Sequence, residues 1–230
     1  MNAEFEIKNG EITNIRITGS ADIPNGVTSI GNGAFSGYPI TSVMVPDSVT
    51  SIGHGAFEYC RALEHVMIGN GVTNIEGCAF GSCENLKSVH LSNNITSIKQ
   101  QTFSGCASLE SIELPGCIKR IEYEAFAHCT SLKSATLGNS IRDIGLGAFA
   151  YCTSLEDITI PDSVKRIQSS AFFGCSSLKS VILPNGVTRV GGAVFCGCTS
   201  LTSLTIPSHF TDEDVREWGI PDTCKVIKHN

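Results

Sequence analysis

The chain of 230 residues carries 16 lysines and arginines against 22 aspartates and glutamates, which gives a net charge of −6. This balance disfavours nucleic acid and anionic membrane surfaces as partners of the chain as a whole. Residues 1–13 lack the basic flank and the apolar run of a signal peptide, and no later segment is apolar enough to span a bilayer. We therefore expect no membrane insertion.

Residues 1–24 are predicted to form a shortened capping rung, that is, a reduced version of the repeat that follows. Phe5 and Ile7 are typical of a strand, Asn9 and Gly10 of a turn, and residues 12–15 match the extended pattern VxxI. The order of these segments is that of the later repeats, but their AFxxC segment is missing here.

Residues 25–207 are predicted to be eight copies of one structural unit. In each copy, aliphatic residues stand eight and five positions before a phenylalanine. Further aliphatic residues stand six, nine and eleven positions after it, except that the first copy is one residue shorter there. The later group ends in an alternating LxxIxI segment that predicts a strand, the VxxI segment predicts a second extended piece, and the segment around the phenylalanine predicts turns. The phenylalanines are spaced by 23 residues, with a single step of 22: Phe35, Phe57, Phe80, Phe103, Phe126, Phe149, Phe172 and Phe195. Such a period predicts a solenoid whose coils stack about 4.8 Å apart with parallel strands.

Residues 208–230 depart from the repeat and are predicted to cap its C-terminal end. Thr211 is the predicted N-cap of a short helix whose first turn carries three acidic residues. Val215 and Trp218 lie one turn apart, so we expect Trp218 to cover the last hydrophobic rung. A final edge strand is predicted over residues 221–227.

The complete pattern, LPxxVxxIxxxAFxxCxxLxxIxIP, resembles the BspA-type leucine-rich repeats from about Pro24 to Pro207. The resemblance implies an α/β-type repeat solenoid with a 23-residue period, parallel strands on a concave face, mostly strands and turns, and little helix. Members of the family are often bacterial or protist surface proteins that bind host proteins or other cells. The resemblance therefore favours a surface or secreted module.

The cysteines form a column rather than a metal or disulfide pattern. Seven of the eleven stand three residues after the phenylalanine: Cys60, Cys83, Cys106, Cys129, Cys152, Cys175 and Cys198. Side chains in register point the same way and a small thiol packs well, so we expect reduced thiols in the core. Of the other four, Cys117 and Cys224 are the candidates for reactivity, because exposure controls thiol chemistry. No Cys/His spacing suits zinc, and we expect no metal and no cofactor.

No catalytic residue is predicted. The segments GNGAF, GHGAF and GLGAF lack the strand, loop and long helix of a phosphate loop, and the acidic residues are scattered. The chain is therefore expected to be non-enzymatic, with an enzyme as a remote alternative.

The first candidate for partner binding is a cluster on the outward side of the LxxIxI strands. The residues ten positions after each phenylalanine, nine in the first repeat, are the most varied outward position, so packing does not dictate them. Met44, Met67 and His90 of this column fall together on the early rungs with His65, which belongs to the outward column two residues earlier, and Glu113 follows on the next rung. Gathered apolar side chains favour a contact surface, whereas a tolerant unused surface is the alternative. A metal held by the two histidines would lack a third ligand.

The second candidate is a basic stripe on the VxxI segments of the later repeats. It consists of Lys119, Arg120, Arg142, Lys165, Arg166 and Arg189, and Asp143 interrupts it. A solvated polar edge is one interpretation, and a site for an acidic partner is the other.

Another charged column lies seven residues after the phenylalanines. Its sign alternates down the stack: Glu64, Lys87, Glu110, Lys133, Glu156 and Lys179. Exposed ion pairs contribute only about 0 to 1 kcal/mol each, so we expect this column to disfavour slipped stacking rather than to supply stability.

Together these patterns predict a monomeric, protein-binding solenoid that recognises a protein or another macromolecule on its concave face. A surface or secreted adhesion module is the first hypothesis, and an intracellular scaffold or adaptor is the alternative. The resemblance favours adhesion, while the reduced cysteines and the missing signal favour the scaffold. The localisation thus stays open between the cell surface and the cytoplasm.

Overall fold

The computed structural model of the chain describes residues 4–16 and 19–229, and it forms a parallel-strand solenoid of about nine turns. Each turn contributes one strand to each of two ladders. The VxxI ladder contains β2 (Glu11–Arg16), β4 (Ser29–Ile30), β6 (Ser51–Ile52), β8 (Asn74–Ile75), β10 (Ser97–Ile98), β12 (Arg120–Ile121), β14 (Asp143–Ile144), β16 (Arg166–Ile167) and β18 (Arg189–Val190). The LxxIxI ladder contains β3 (Gly19–Asp22), β5 (Ile40–Val45), β7 (His65–Ile68), β9 (Ser88–His90), β11 (Ser111–Glu113), β13 (Ser134–Thr136), β15 (Asp157–Ile158), β17 (Ser180–Ile182), β19 (Ser203–Pro207) and β20 (Lys225–His229).

Short turns connect the strands, as the sequence predicts. At the proline corner, the carbonyl of Pro46 accepts a hydrogen bond from the amide of Val49 at 3.1 Å. Around the phenylalanine, some backbone amides bond to the next rung and others bond within the turn. The amide of Phe57 donates to the carbonyl of Ala79 on the next rung at 2.8 Å, and the amide of Cys60 donates to the carbonyl of Phe57 in the same turn at 3.2 Å. The backbone of this segment is therefore satisfied without a helix.

The core consists of in-register columns. All eight phenylalanines of the repeat are 0% exposed, and neighbouring rings stack with centroids 4.6 Å apart at the first pair and 5.8 Å apart at the last. The predicted 23-residue solenoid with little helix is confirmed.

The cysteine column lies within this core. All eleven cysteines are free thiols, and the seven column members are buried. Each column thiol donates to the carbonyl of the phenylalanine one rung earlier, as Cys106 does to Phe80 at 3.3 Å. Burial raises the pKa of Cys60, Cys129 and Cys198 to about 12. The predicted burial of the column thiols is confirmed.

Thiol labelling should separate the two groups of cysteines. In the native protein, we expect a water-soluble thiol reagent to modify Cys78, Cys117, Cys196 and Cys224, which are partly exposed, and to leave the seven column thiols unmodified. The nucleophile is the thiolate, which burial both hides and disfavours. Mass mapping with and without denaturant measures this. The expectation would be contradicted if a column thiol of the native protein were labelled as fast as the four partly exposed cysteines. A disulfide between column neighbours such as Cys129 and Cys152 would contradict it as well.

The charged column of alternating sign forms separate pairs. Lys87 lies 2.7 Å from the carboxylate of Glu64, and Lys133 lies 2.9 Å from that of Glu110. Lys179 pairs in the same way with Glu156. Each lysine thus reaches back by one rung, and within the described residues no ion pair joins one such couple to the next.

Both ladders are interrupted at the same level, between the third and fourth repeats. The LxxIxI ladder divides into a sheet of β3, β5, β7 and β9 and a sheet that begins at β11, and the VxxI ladder divides between β8 and β10. The turns around the phenylalanines continue across this seam, because Phe80 still donates to Thr102 at 2.9 Å. Val89, beside the seam, is only partly buried.

The N-terminal segment differs from the prediction. β1 (Glu4–Lys8) pairs antiparallel with β2 as a hairpin, and Ile12, not residue 15, aligns with Ile30 of the first repeat. Asn9 and Gly10 both have left-handed φ values, of 50° and 80°, which is the two-residue turn that folds a strand back on its neighbour. Residues 1–3, 17 and 18 of the predicted cap lie outside the described residues.

The C-terminal segment contains the predicted helix, α1 (Asp212–Glu217), with Thr211 as N-cap. The Thr211 hydroxyl accepts from the amide of Asp214 at 3.2 Å, and the Thr211 amide donates to the Asp214 carboxylate at 2.7 Å. Trp218 is 1% exposed, and its carbonyl accepts from Phe195 at 2.8 Å. The tail therefore continues the stack and closes its last rung, and β20 then pairs with β19.

Candidate functional site

The first candidate site lies on the outward side of the N-terminal LxxIxI sheet. Met44 of β5 aligns with Met67 of β7, which aligns with His90 of β9. In the neighbouring row, Ser42 aligns with His65 and His65 with Ser88. We call Met44, His65, Met67 and His90 the Met/His cluster. The parallel register therefore brings together the four residues that the sequence suggested.

The cluster surrounds a shallow cleft on the outward side of the sheet. Met44 is 55% exposed and Met67 is 52% exposed. The cleft has a volume of about 440 Å³. It is lined by Ser20, Asp22, Ser42, Val43, Met44, His65, Val66, Met67, Ser88, Val89 and His90. Two flexible thioether side chains thus stand side by side on the outward side of the sheet, with polar groups around them, whereas Val43 and Val66 are each only 3% exposed and belong to the core beneath.

The polar rim is partly ordered by its own contacts. His65 Nδ1 and Ser88 Oγ are hydrogen-bonded at 2.9 Å. His65 Nε2 lies 3.9 Å from the carboxylate of Glu64, and the pKa of that carboxyl is lowered chiefly by its hydrogen bond from Lys87. The imidazole of His65 is therefore held between a neighbouring strand and an acidic group.

Asp22 belongs to this site although the sequence reasoning missed it. It aligns with Met44 through the pairing of β3 with β5, and Ser20 donates to its carboxylate at 3.4 Å. The segment Ala21–Pro24 matches the IxIP ending of the repeat, which is the signal that would have placed Asp22 in the outward column. It was missed because the register was fitted to residues 12–15.

Glu113 lies apart from the cleft. It belongs to β11, which pairs with β13, so Glu113 aligns with Thr136. No ladder joins β9 to β11 in the described part of the chain. Glu113 therefore stands on the rung after His90, outside the residues that line the cleft.

A metal site is not assembled here. His65 and His90 occupy diagonal positions, because His65 aligns with Ser88 and His90 with Met67. Among residues 4–16 and 19–229, no three His, Cys, Asp or Glu side chains are placed to hold a metal ion together. In the same part of the chain, no helix has the length and apolar character needed to cross a membrane.

The basic stripe lies on the VxxI ladder, away from the Met/His cluster, and its six cations are exposed. Arg166 forms an ion pair with Asp143. Within the residues that the structure describes, the other five cations form no ion pair. The amide of Arg142 donates to Lys119 at 2.9 Å and that of Lys165 to Arg142 at 2.8 Å, so these three are direct neighbours.

A second cleft on the LxxIxI strands was not predicted. It has a volume of about 710 Å³ and lies beside Ile182, Asp157 and His229. Ile182 is 63% exposed. It stands in the same varied column as Met44 and Met67, so the departure from the repeat was visible, but His229 reaches this cleft only because β20 pairs with β19.

The fold and its outward strand surface define a repeat solenoid, a typical non-enzymatic interaction scaffold. A profile of the BspA-type leucine-rich repeat region matches residues 6–132 and 98–215, in six copies. The chain therefore belongs to the BspA-type leucine-rich repeat family.

Solved structures of bacterial leucine-rich repeat proteins are similar to this chain. A leucine-rich repeat protein of T. pallidum is 27% identical with a TM-score of 0.63, over 96% of this chain and 95% of that one. The pneumococcal vaccine antigen PcpA is 20% identical with a TM-score of 0.51, over 89% of this chain and 66% of that one. A cell surface protein of Faecalibacterium prausnitzii is 22% identical with a TM-score of 0.49, over 98% and 92%. The comparison with curated protein sequences finds no match.

Proposed function

We propose that the chain is a surface or secreted adhesion module that binds a protein partner through the Met/His cluster. The observation that carries this proposal is the pair of half-exposed methionines, Met44 and Met67, in direct register on the outward side of the sheet. Nothing in the repeat demands methionine there, since later repeats carry threonine at the same position, as at Thr136 and Thr159.

The exposed thioether side chains favour an apolar contact. Full burial of a large apolar side chain contributes roughly 1.5 to 3 kcal/mol, so covering the exposed half of each methionine contributes on the order of 1 kcal/mol. Methionine adapts to partners of different shape because it is unbranched and polarisable.

The rim favours a protein as the occupant. An apolar centre with a polar surround is the usual arrangement of a protein interface. Asp22 at one end of the cleft has no basic neighbour among the lining residues other than the two histidines. A partner segment with an apolar anchor and a nearby lysine or arginine would therefore complement the site in both shape and charge.

The surface or secreted location is supported by the family. Leucine-rich repeat solenoids typically act in protein interaction, and members of this family are often surface proteins. Immunolabelling of the intact source cell, with and without permeabilisation, tests the location separately from the binding site. Labelling seen only after permeabilisation would favour the intracellular scaffold.

The binding site is tested with a triple variant, Met44→Ser, Met67→Ser and His90→Ser. We expect circular dichroism to be unchanged, because all three side chains are exposed. Affinity for a partner protein captured by the wild type should fall at least about tenfold, since roughly 2 kcal/mol of apolar contact is lost. The measurement is titration of the purified partner.

The matched control is Ile182→Ser, which removes an exposed apolar side chain of the same column in the seventh repeat. This variant should keep wild-type affinity. Equal loss in both variants, or no loss in the triple variant, would contradict the assignment of the site to the Met/His cluster.

A further inference from the structure

The basic stripe replaces a structural column of the earlier repeats. Seven residues before the phenylalanine, the first four repeats carry threonine, and the next three carry Lys119, Arg142 and Lys165. The threonines support the stack: Thr50 donates its hydroxyl to the carbonyl of Thr28 at 3.1 Å, and Thr73 donates to Thr50 at 3.3 Å. In the eighth repeat Thr188 returns and donates to Lys165 at 3.2 Å. The three basic residues therefore give up an inter-rung hydrogen bond that the fold otherwise uses.

These cations also repel one another. Their strands are neighbours about 4.8 Å apart, and like charges directly opposite each other on a sheet are destabilising. In the charged column of alternating sign, by contrast, neighbouring rungs carry opposite charges, and Lys87 and Lys133 each pair with a glutamate. Stability alone would favour threonine or alternating signs, so the stripe is explained better by a ligand than by the fold.

The cations form a narrow linear array. A second row six residues before the phenylalanine adds Arg120, Arg166 and Arg189. The stripe spans four rungs, or about 14 Å along the solenoid axis. A shallow cleft of about 330 Å³ runs beside it, and Arg120, Tyr123 and Arg166 line it together with the acidic Glu122 and Asp143. Tyr123 is 44% exposed, so an exposed aromatic ring accompanies the row of charges.

We propose that this basic face binds a linear sulfated polysaccharide laid along the solenoid axis. Up to two cations per rung call for a ligand with a high density of fixed negative charge, which sulfation of successive sugars supplies. The ring of Tyr123 offers an apolar surface to the carbon face of a sugar. The ligand contacts the five cations without an internal ion pair and competes with Asp143 for Arg166.

Other anionic partners fit less well. The stripe with Asp143 carries +5 in a chain of net charge −6, so the rest of the surface carries −11. A nucleic acid duplex or a bilayer is wider than the stripe and would meet that acidic remainder. An acidic peptide would find no free strand edge beside β12, β14 or β16, since each is paired on both sides, and would depend on side-chain contacts alone.

The test uses a fluorescent heparin-type hexasaccharide and fluorescence anisotropy at several NaCl concentrations. The variant is Lys119→Gln, Arg142→Gln and Lys165→Gln. We expect affinity to fall at least about tenfold and the slope of log affinity against log salt to become shallower by roughly 2, as for about 0.7 per lost contact to a flexible polyanion. Its melting temperature should not fall, because the change removes repulsion.

The matched control is Lys87→Gln, Lys133→Gln and Lys179→Gln, which changes the net charge by the same amount in the alternating column. This control should bind the hexasaccharide as the wild type does. Equal loss in both variants would overturn the proposal in favour of a net-charge effect. Tighter binding of hyaluronan, a polyglutamate peptide, a single-stranded oligonucleotide or phosphatidylserine vesicles than of the hexasaccharide would overturn the choice of ligand. The stripe variant changes neither the Met/His cluster nor its neighbours, so its outcome is independent of the proposed protein-binding site.

Discussion

Replacing Phe126 with alanine is expected to lower the free energy of unfolding by about 3 to 5 kcal/mol. The ring is 0% exposed and stacks between Phe103 at 5.5 Å and Phe149 at 5.3 Å. Hydrogen-bonded rungs on both sides hold the backbone in place, so the cavity cannot collapse. Denaturant unfolding followed by circular dichroism measures the change.

Tyr123→Ala provides the control in the same repeat. Its ring is 44% exposed, so we expect a loss below about 1 kcal/mol. If both substitutions had similar effects, the phenylalanine column would not be the core of the fold.

Deletion of one whole repeat, residues 118–140, should be milder than the loss of one buried ring. The deletion joins two rungs of the same shape, and a solenoid is stabilised by contacts between neighbours. It also leaves Glu110 beside Glu156, an exposed like-charge pair that costs at most about 1 kcal/mol. Unfolding of the deletion variant together with a stable Phe126→Ala variant would contradict the solenoid energetics.

The period made most of the fold predictable. Once the phenylalanines were aligned, parallel stacking with a 23-residue shift put Met44 opposite Met67 and His65 opposite Ser88, as the register shows. The same alignment put seven cysteines in one buried column. Identical rungs leave few alternatives, because a slip by one residue would expose the core.

The departures from the prediction lie where the repeat itself stops or loosens. At the N-terminus, local turn chemistry at Asn9 and Gly10 folds β1 back on β2, and the misplaced register hid Asp22. The seam between the third and fourth repeats divides both ladders, although Val89 and Leu91 keep the apolar pattern on that strand. Loss of pairing at one level depends on small shifts of the stacked coils, which a pattern of residue types does not encode.

The charged columns show the same limit at the level of side chains. The sequence shows that the sign of the charge alternates from rung to rung, but it does not predict which glutamate each lysine pairs with. Lys133 pairs with Glu110 rather than with Glu156. Both partners are one rung away, so the choice rests on side-chain direction rather than on sequence spacing.

Raising the pH from 8 to 10 is expected to destabilise the fold sharply. Burial raises the pKa of Cys60, Cys129 and Cys198 from 9.0 to about 12. Burial also raises the pKa of the remaining column thiols, Cys83, Cys106, Cys152 and Cys175. The folded state therefore keeps these protons at pH 10, whereas the unfolded chain releases them.

The sign follows from that difference in bound protons. Because the folded pKa is higher, the stabilisation is complete below pH 9 and is lost as the pH rises through the folded pKa. One unit above the unfolded pKa, each thiol costs roughly 1 to 2 kcal/mol, so the seven together cost on the order of 10 kcal/mol. That loss is comparable to the whole stability of an ordinary domain.

Urea unfolding at pH 8, 9 and 10 in the presence of a reductant measures the loss, and two variants locate its origin. In Cys106→Ala, Cys129→Ala and Cys152→Ala, the fall in unfolding free energy between pH 8 and 10 should shrink by about 4 kcal/mol relative to the wild type. In Cys117→Ala and Cys196→Ala, both outside the column and partly exposed, the fall should stay as in the wild type. Comparing each variant with itself at two pH values removes the effect of the cavities left by alanine. Tyrosine and lysine titrations are common to all three proteins, so an equal alkaline loss in both variants would mean that the column thiols ionise as readily in the folded chain as in the unfolded one.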